Sequence, residues 1–93
     1  MLNMYSVYDE VGKTYSNPLF TDVRDDHCLA IRIIKSQMFD SSNMLAMFPD
    51  NYTLYYLGKF NEIDGSIDAI EPVNVITCED ALKELREDRN VQE

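Results

Sequence analysis

The stretch FPDNYTLYYLGKFNEIDGSID, residues 48–68, decides the fold. Pro49, Asp50 and Asn51 are turn formers, and the tyrosine, threonine and leucine that follow suit a strand. Side chains alternate across a strand, so Tyr52, Leu54, Tyr56 and Phe60 are expected on one side and Tyr55 and Leu57 on the other, with Gly58 interrupting the first row. Apolar mass on both faces marks a central strand. Asp64-Gly65 supplies a turn whose glycine can take positive φ, and residues 66–70 return as the hairpin partner. Pro72 then interrupts, and residues 73–76 read as a separate short strand.

Toward the N-terminus, residues 4–9 alternate loosely and end at Asp9-Glu10 and a turn around Gly12-Lys13, which predicts a first strand. Residues 14–20 contain Asn17-Pro18, and a proline has no donor for a ladder. That piece reads as an extended connector, the alternative being an irregular edge strand. From Asp22 the pattern becomes helical: Asp22, Asp25 and Asp26 gather where a helix start favours negative charge, and Val23, His27, Ala30, Ile31, Ile34 and Met38 recur at helical spacing. The main helix is expected to end near Phe39. Asp40-Ser41-Ser42 offers a break and a new cap for a short helix over residues 43–48. Downstream, Thr77 followed by Asp80 reads as a capping box opening a final helix that turns Ala81, Leu82 and Leu85 inward, with a frayed polar tail over residues 87–93.

The order strand, long helix, hairpin, short strand, short helix is an α+β arrangement. It predicts a single small domain over residues 1–93, with an antiparallel sheet of three to four strands and both helices, the long one and the short C-terminal one, packed on one face. A chain of 93 residues buries only about two thirds of its unfolded surface, so a second copy would help its stability. No apolar run approaches the ~20 residues needed to span a bilayer, and no signal peptide is visible. The expectation is a soluble protein with no membrane contact.

Seventeen acidic against eight basic residues give a net charge of −9, and the basic residues are scattered. Nucleic-acid binders cluster positive charge to release phosphate counterions, so direct nucleic-acid binding is disfavoured. Cys28 and Cys78 have no neighbouring Cys or His at ligand spacing and are expected as buried, reduced thiols. Glu62, Asp64, Ser66, Asp68 and Glu71 partly imitate a calcium loop around Gly65, but the spacing puts Phe60 at the first ligand position and the flanks are strands, not helices. No cofactor or metal is expected. His27 and Cys28 project about 100° apart on a helix and cannot share a proton, and no nucleophile motif or phosphate loop is present, so no enzymatic activity is expected. The tyrosines could stack bases, although they are equally suited to a half-buried strand.

Leu29 and Ile33 widen the apolar stripe of the main helix, and Tyr55 and Leu57 add apolar surface on the sheet side opposite Leu54. These four residues are the expected interaction surface, for a homodimer or an obligate partner.

The segments VYDEVGKTYSNPLF, DDHCLAIRIIK, FPDNYTLYYLGKF and DGSID, in this order and spacing, resemble the small non-structural protein family of gokushoviruses, single-stranded DNA phages of the Microviridae. Tyr5, Asp9, Asn17-Pro18, Phe20, Ala30, Arg32, Pro49-Asp50, Tyr52, Leu54, Tyr55, Gly58, Phe60 and Gly65 carry the resemblance. It implies a non-capsid protein of the host bacterial cytoplasm. By analogy with the packaging-switch protein of related microviruses, it further implies a protein-binding adaptor in the switch from single-stranded DNA replication to genome packaging. Its partner would be a phage replication or procapsid protein, or a host protein. The alternatives are a weak single-stranded DNA binder using the tyrosine face and an inhibitor of a host factor. The resemblance brings no catalytic or ligand residues with it.

Overall fold

A computed structural model describes residues 1–24 and 26–92, with side chains up to Glu87. The strands are β1 (Leu2–Asp9), β2 (Thr14–Tyr15), β3 (Leu19–Asp22), β4 (Tyr52–Phe60) and β5 (Ile67–Thr77). The helices are α1 (Cys28–Gln37), α2 (Met44–Met47) and α3 (Cys78–Gln92), with a 3-10 turn at Pro49–Asn51. This is the expected α+β class, with one antiparallel sheet and its helices on one face. β4 is central, lying between β1 and β5.

The sheet has five strands where the sequence predicts three to four, because one edge strand is broken in two. Both β2 and β3 pair antiparallel with β1, at Tyr8↔Tyr15 and at Tyr5↔Leu19. Asn17-Pro18 lies between them, so this segment is the irregular edge strand and not the connector. Ser16 holds the break closed: its N–H donates to the Val7 carbonyl at 2.9 Å and its Oγ accepts from the Val7 N–H at 3.0 Å. The Ser6 hydroxyl adds a 2.7 Å bond to the Ser16 carbonyl.

β4 departs from strict alternation. Met4 pairs with Gly58 and Tyr5 with Tyr56, which leaves Leu57 as an extra residue in a bulge. A one-residue insertion moves every later side chain to the opposite face. Phe60 therefore sits opposite Leu2, in the row of Met4, and not with Tyr52, Leu54 and Tyr56 as simple alternation predicts. Pro72 does not end the returning strand either. β5 runs unbroken from Ile67 to Thr77 and absorbs Pro72 in a register irregularity between its pairings Gly58↔Ala69 and Tyr56↔Val73. β5 is the last strand in the sheet order, and an edge strand tolerates a missing donor.

α1 starts six residues later than Asp22. Asp22 is held in the β1–β3 ladder opposite Leu2, and its carboxylate accepts from the Arg24 side chain at 2.8 and 3.1 Å and from the Arg24 N–H at 2.9 Å. These bonds hold its pKa well below the usual carboxylate range, that from the Arg24 guanidinium first among them. The first turn of α1 accordingly has no acidic residue, and its N-cap is His27, in left-handed geometry at φ 61°. Asp25 lies outside the described residues. α2 is capped by Asn43, whose side chain accepts from the Leu45 N–H at 2.9 Å, and not by residues 40–42. Asp40 instead turns back on Ser42, whose hydroxyl and N–H lower its pKa. Thr77 caps α3 as expected, accepting from the Asp80 N–H at 3.1 Å. α3 is not the short helix expected: its backbone is helical to Gln92, 15 residues against the 10 of α1, while the tail predicted to fray lies, from Asp88 on, outside the described side chains.

The core lies between the sheet and the helices. Tyr5 and Val7 of β1 and Leu54 of β4 meet Ala30, Ile34 and Met38 of α1, Leu45 of α2, and Cys78, Ala81 and Leu85 of α3. Burying a side chain such as Ile34 or Leu54 stabilises the fold by about 1.5–3 kcal/mol. No helix among the described residues is long and apolar enough to cross a membrane.

Candidate functional site

The sheet presents two unlike sides. On the helix side, α1 stands away from β2 and leaves a cleft of about 530 Å³. Its floor is apolar, built from Val7, Leu19, Ile33, Ile34 and Leu45, and its rim is polar, with Asp9, Asn17, Gln37 and Tyr52. Asp9 is fixed by its own turn, since its carboxylate accepts from the Val11 and Gly12 N–H groups at 3.0 and 3.1 Å. The cleft exists because the broken edge at residues 16–18 falls beside the C-terminal half of α1. Its volume and apolar lining are those of a pocket that takes a side chain or small ligand.

Beside the start of α1, the helix side carries an aromatic and polar cluster. Tyr5 Oη and His27 Nδ1 are 2.5 Å apart, the His27 ring packs 5.1 Å from Tyr56, and the Tyr56 hydroxyl donates to Asn3 Oδ1 at 3.2 Å. His27 borders the core, as expected. The cluster ties β1, β4 and the helix start together.

The opposite side of the sheet is open and aromatic. The Tyr8 and Tyr15 rings pack 4.7 Å apart at a tilt of 53°, with Tyr55 edge-on at 6.1 and 6.0 Å from each, and Phe20 lies 5.5 Å from Phe60. Among the paired positions of this face, Asp22 is the one charged residue, and it is bonded to Arg24. At the far end of the hairpin the charges sit on the helix side: Lys59 is opposite Asp68, and both share the row of Asn3.

Of the four residues expected at an interaction surface, two lie on α1 and two on β4. Leu29 is exposed on α1, and Ile33, half-buried, lines the cleft. Tyr55 belongs to the open face, and Leu57 is half-buried in the bulge. The sequence reading missed Tyr8 and Tyr15 as partners of Tyr55. The signal was present, since Tyr8 alternates with the inward residues Tyr5 and Val7.

The cysteines differ. Cys28 is exposed, contrary to expectation, because α1 begins at that residue and turns it outward. Cys78 is fully buried, and burial pushes its thiol up to about 11. The acidic residues around Gly65 are used locally: Asp64 accepts from the Ser66 N–H at 2.9 Å, which with the Ser66 side chain lowers its pKa, and Glu62 accepts from the Met1 amine at 3.1 Å. No group of three potential metal ligands comes together among the described residues.

No curated protein and no solved structure matches this chain. The model of the family described as Phage ORF5 protein matches residues 2–81, which spans every strand and the first turn of α3. The chain belongs to this bacteriophage protein family.

Proposed function

We propose that this is the small non-structural protein of a gokushovirus, acting as a protein-binding adaptor in the switch from single-stranded DNA replication to genome packaging. The observation that carries the adaptor reading is the cleft between α1 and β2, whose apolar floor is bordered by polar groups able to orient a peptide. Leu29, one turn from Ile33, extends the apolar surface outside it. The partner is a phage replication or procapsid protein, or a host protein, that inserts an apolar side chain over Ile33 and Ile34. A net charge of −9 favours such a partner over the genome itself.

Affinity capture from infected cells tests this. Wild-type protein is expected to retain a discrete phage or host protein through a high-salt wash, and Ile33→Asp is expected to lose it while keeping its helical and sheet circular dichroism. Retention by both proteins alike removes the cleft from the mechanism.

A second reading has its own support. The Tyr8, Tyr15 and Tyr55 rings lie on one open sheet face, the placement used by proteins that stack single-stranded bases. Binding to a short oligothymidylate that falls steeply with salt would favour it.

A further inference from the structure

We propose that the open face of the sheet is where a second copy of this chain docks. This goes beyond the adaptor reading, which uses the other side of the sheet. At the far end of the hairpin, Lys59, Phe60, Ile67 and Asp68 lie outside the core cluster of the described residues, yet Lys59 and Asp68 point to the helix side while Phe60, Ile67 and Phe20 point to the open side. The bulge at Leu57 is what puts Phe60 there. Without it, the aromatic ring would lie among the charges and Lys59 would occupy the open face.

Charge also favours a second copy on this face. The molecule carries −9, but the open face holds one carboxylate at its paired positions, bonded to Arg24. Two strongly acidic molecules can approach without juxtaposing like charges only through a surface of this kind. A nucleic acid would need cations, and none of the paired positions on this face is Lys or Arg. Aromatic rings that pack at tilted and edge-on angles can also meet the same rings of a second copy across a two-fold axis.

The face is also large enough. β4 has nine residues, and the face is four strands wide, which at ~3.3 Å per residue and ~4.8 Å between strands is roughly 550 Å² in plan. Side-chain relief brings this near the ~800 Å² that each partner gives to a stable interface.

Sedimentation or light scattering at tens of micromolar, in about 0.05 and 0.5 M salt, tests the proposal. A dimer is expected, and its association is expected to strengthen with salt, since screening removes the repulsion between the two acidic bodies; DNA binding would show the opposite slope. Tyr15→Glu and Ile67→Glu replace side chains 44% and 58% exposed in the single chain, so folding should survive. Each is expected to weaken association at least about tenfold. Leu29→Asp, on the helix side, should leave it unchanged. A monomeric wild type at both salts overturns the proposal. So does a dimer that Leu29→Asp dissociates and the two open-face variants do not.

Discussion

At the scale of single residues, two glycines look alike in the sequence and differ in the fold. Gly65 takes φ 75° in its turn, as Asp64-Gly65 predicts, and a side chain there would meet no atom within 4 Å. Gly58 takes φ 128°, and a Cβ on it would lie 2.2 Å from the Asp68 carbonyl oxygen across the hairpin. Gly65→Ala should therefore cost about 1 kcal/mol of strain, and Gly58→Ala more than ~2 kcal/mol, because backbone rather than a flexible side chain blocks it. Urea titrations of the two variants check the order, and equal losses would contradict it. The turn glycine was legible because its reason is local; the other depends on β5, which no local pattern places against it. The cysteines make a second residue-scale prediction. An alkylating reagent at neutral pH should modify Cys28 quickly and Cys78 only on unfolding, as mass spectrometry can count. The folded Cys78 thiol is held at about 11 against an ordinary 9.0, so the unfolded chain loses its proton first as pH rises. Stability is unaffected below about pH 9 and declines between 9 and 11, and Cys78→Ala should remove that part of the decline.

At the scale of elements, the informative feature is the edge strand split by Asn17-Pro18. Ser16 replaces the lost ladder with one backbone and two side-chain bonds to Val7 and Ser6, a residue that is 1% exposed. Ser16→Ala leaves the Val7 N–H without its acceptor and should cost about 1–2 kcal/mol. The denaturation midpoint should fall with an unchanged slope, and Val7 amide exchange should quicken more than that of Leu54. No change in either would mean that water substitutes for the hydroxyl. The proline made the break legible, but edge strand and connector could not be told apart, because the answer lies in the match between Ser16 and Val7 across the turn. α1 was legible in its inward residues Ala30, Ile34 and Met38, and not in its start. Asp22 has the composition of a helix N-terminus, and pairing with Leu2 overrode it. Similarly, the row of Tyr52, Leu54 and Tyr56 could be read from alternation, whereas the bulge that reverses Phe60 is set by register with β1. The four residues expected at an interaction surface were legible as apolar, whereas the face to which each belongs is fixed by pairing and helix placement.

At the scale of the whole molecule, the main unbalanced quantity is charge. Among the described residues the fold offers three ion pairs, Arg24 with Asp22, Lys35 with Glu84 and the Met1 amine with Glu62, against a net charge of −9. Exposed pairs of this kind contribute little, because water and salt screen them. Self-repulsion among the remaining carboxylates weakens the compact state and is screened by salt, whose Debye length falls from about 14 Å at 0.05 M to about 4 Å at 0.5 M. Raising salt over that range should therefore stabilise the single chain by on the order of 1 kcal/mol, or ~5 °C in Tm for a domain of this size. Salt is also expected to strengthen association through the open face, which would raise Tm through mass action. The two effects separate in Ile67→Glu, expected to be monomeric: it should keep the Tm rise from screening while losing its dependence on protein concentration. A Tm in that variant that is flat with salt would show that the acidic surface is spaced widely enough to cost the fold nothing.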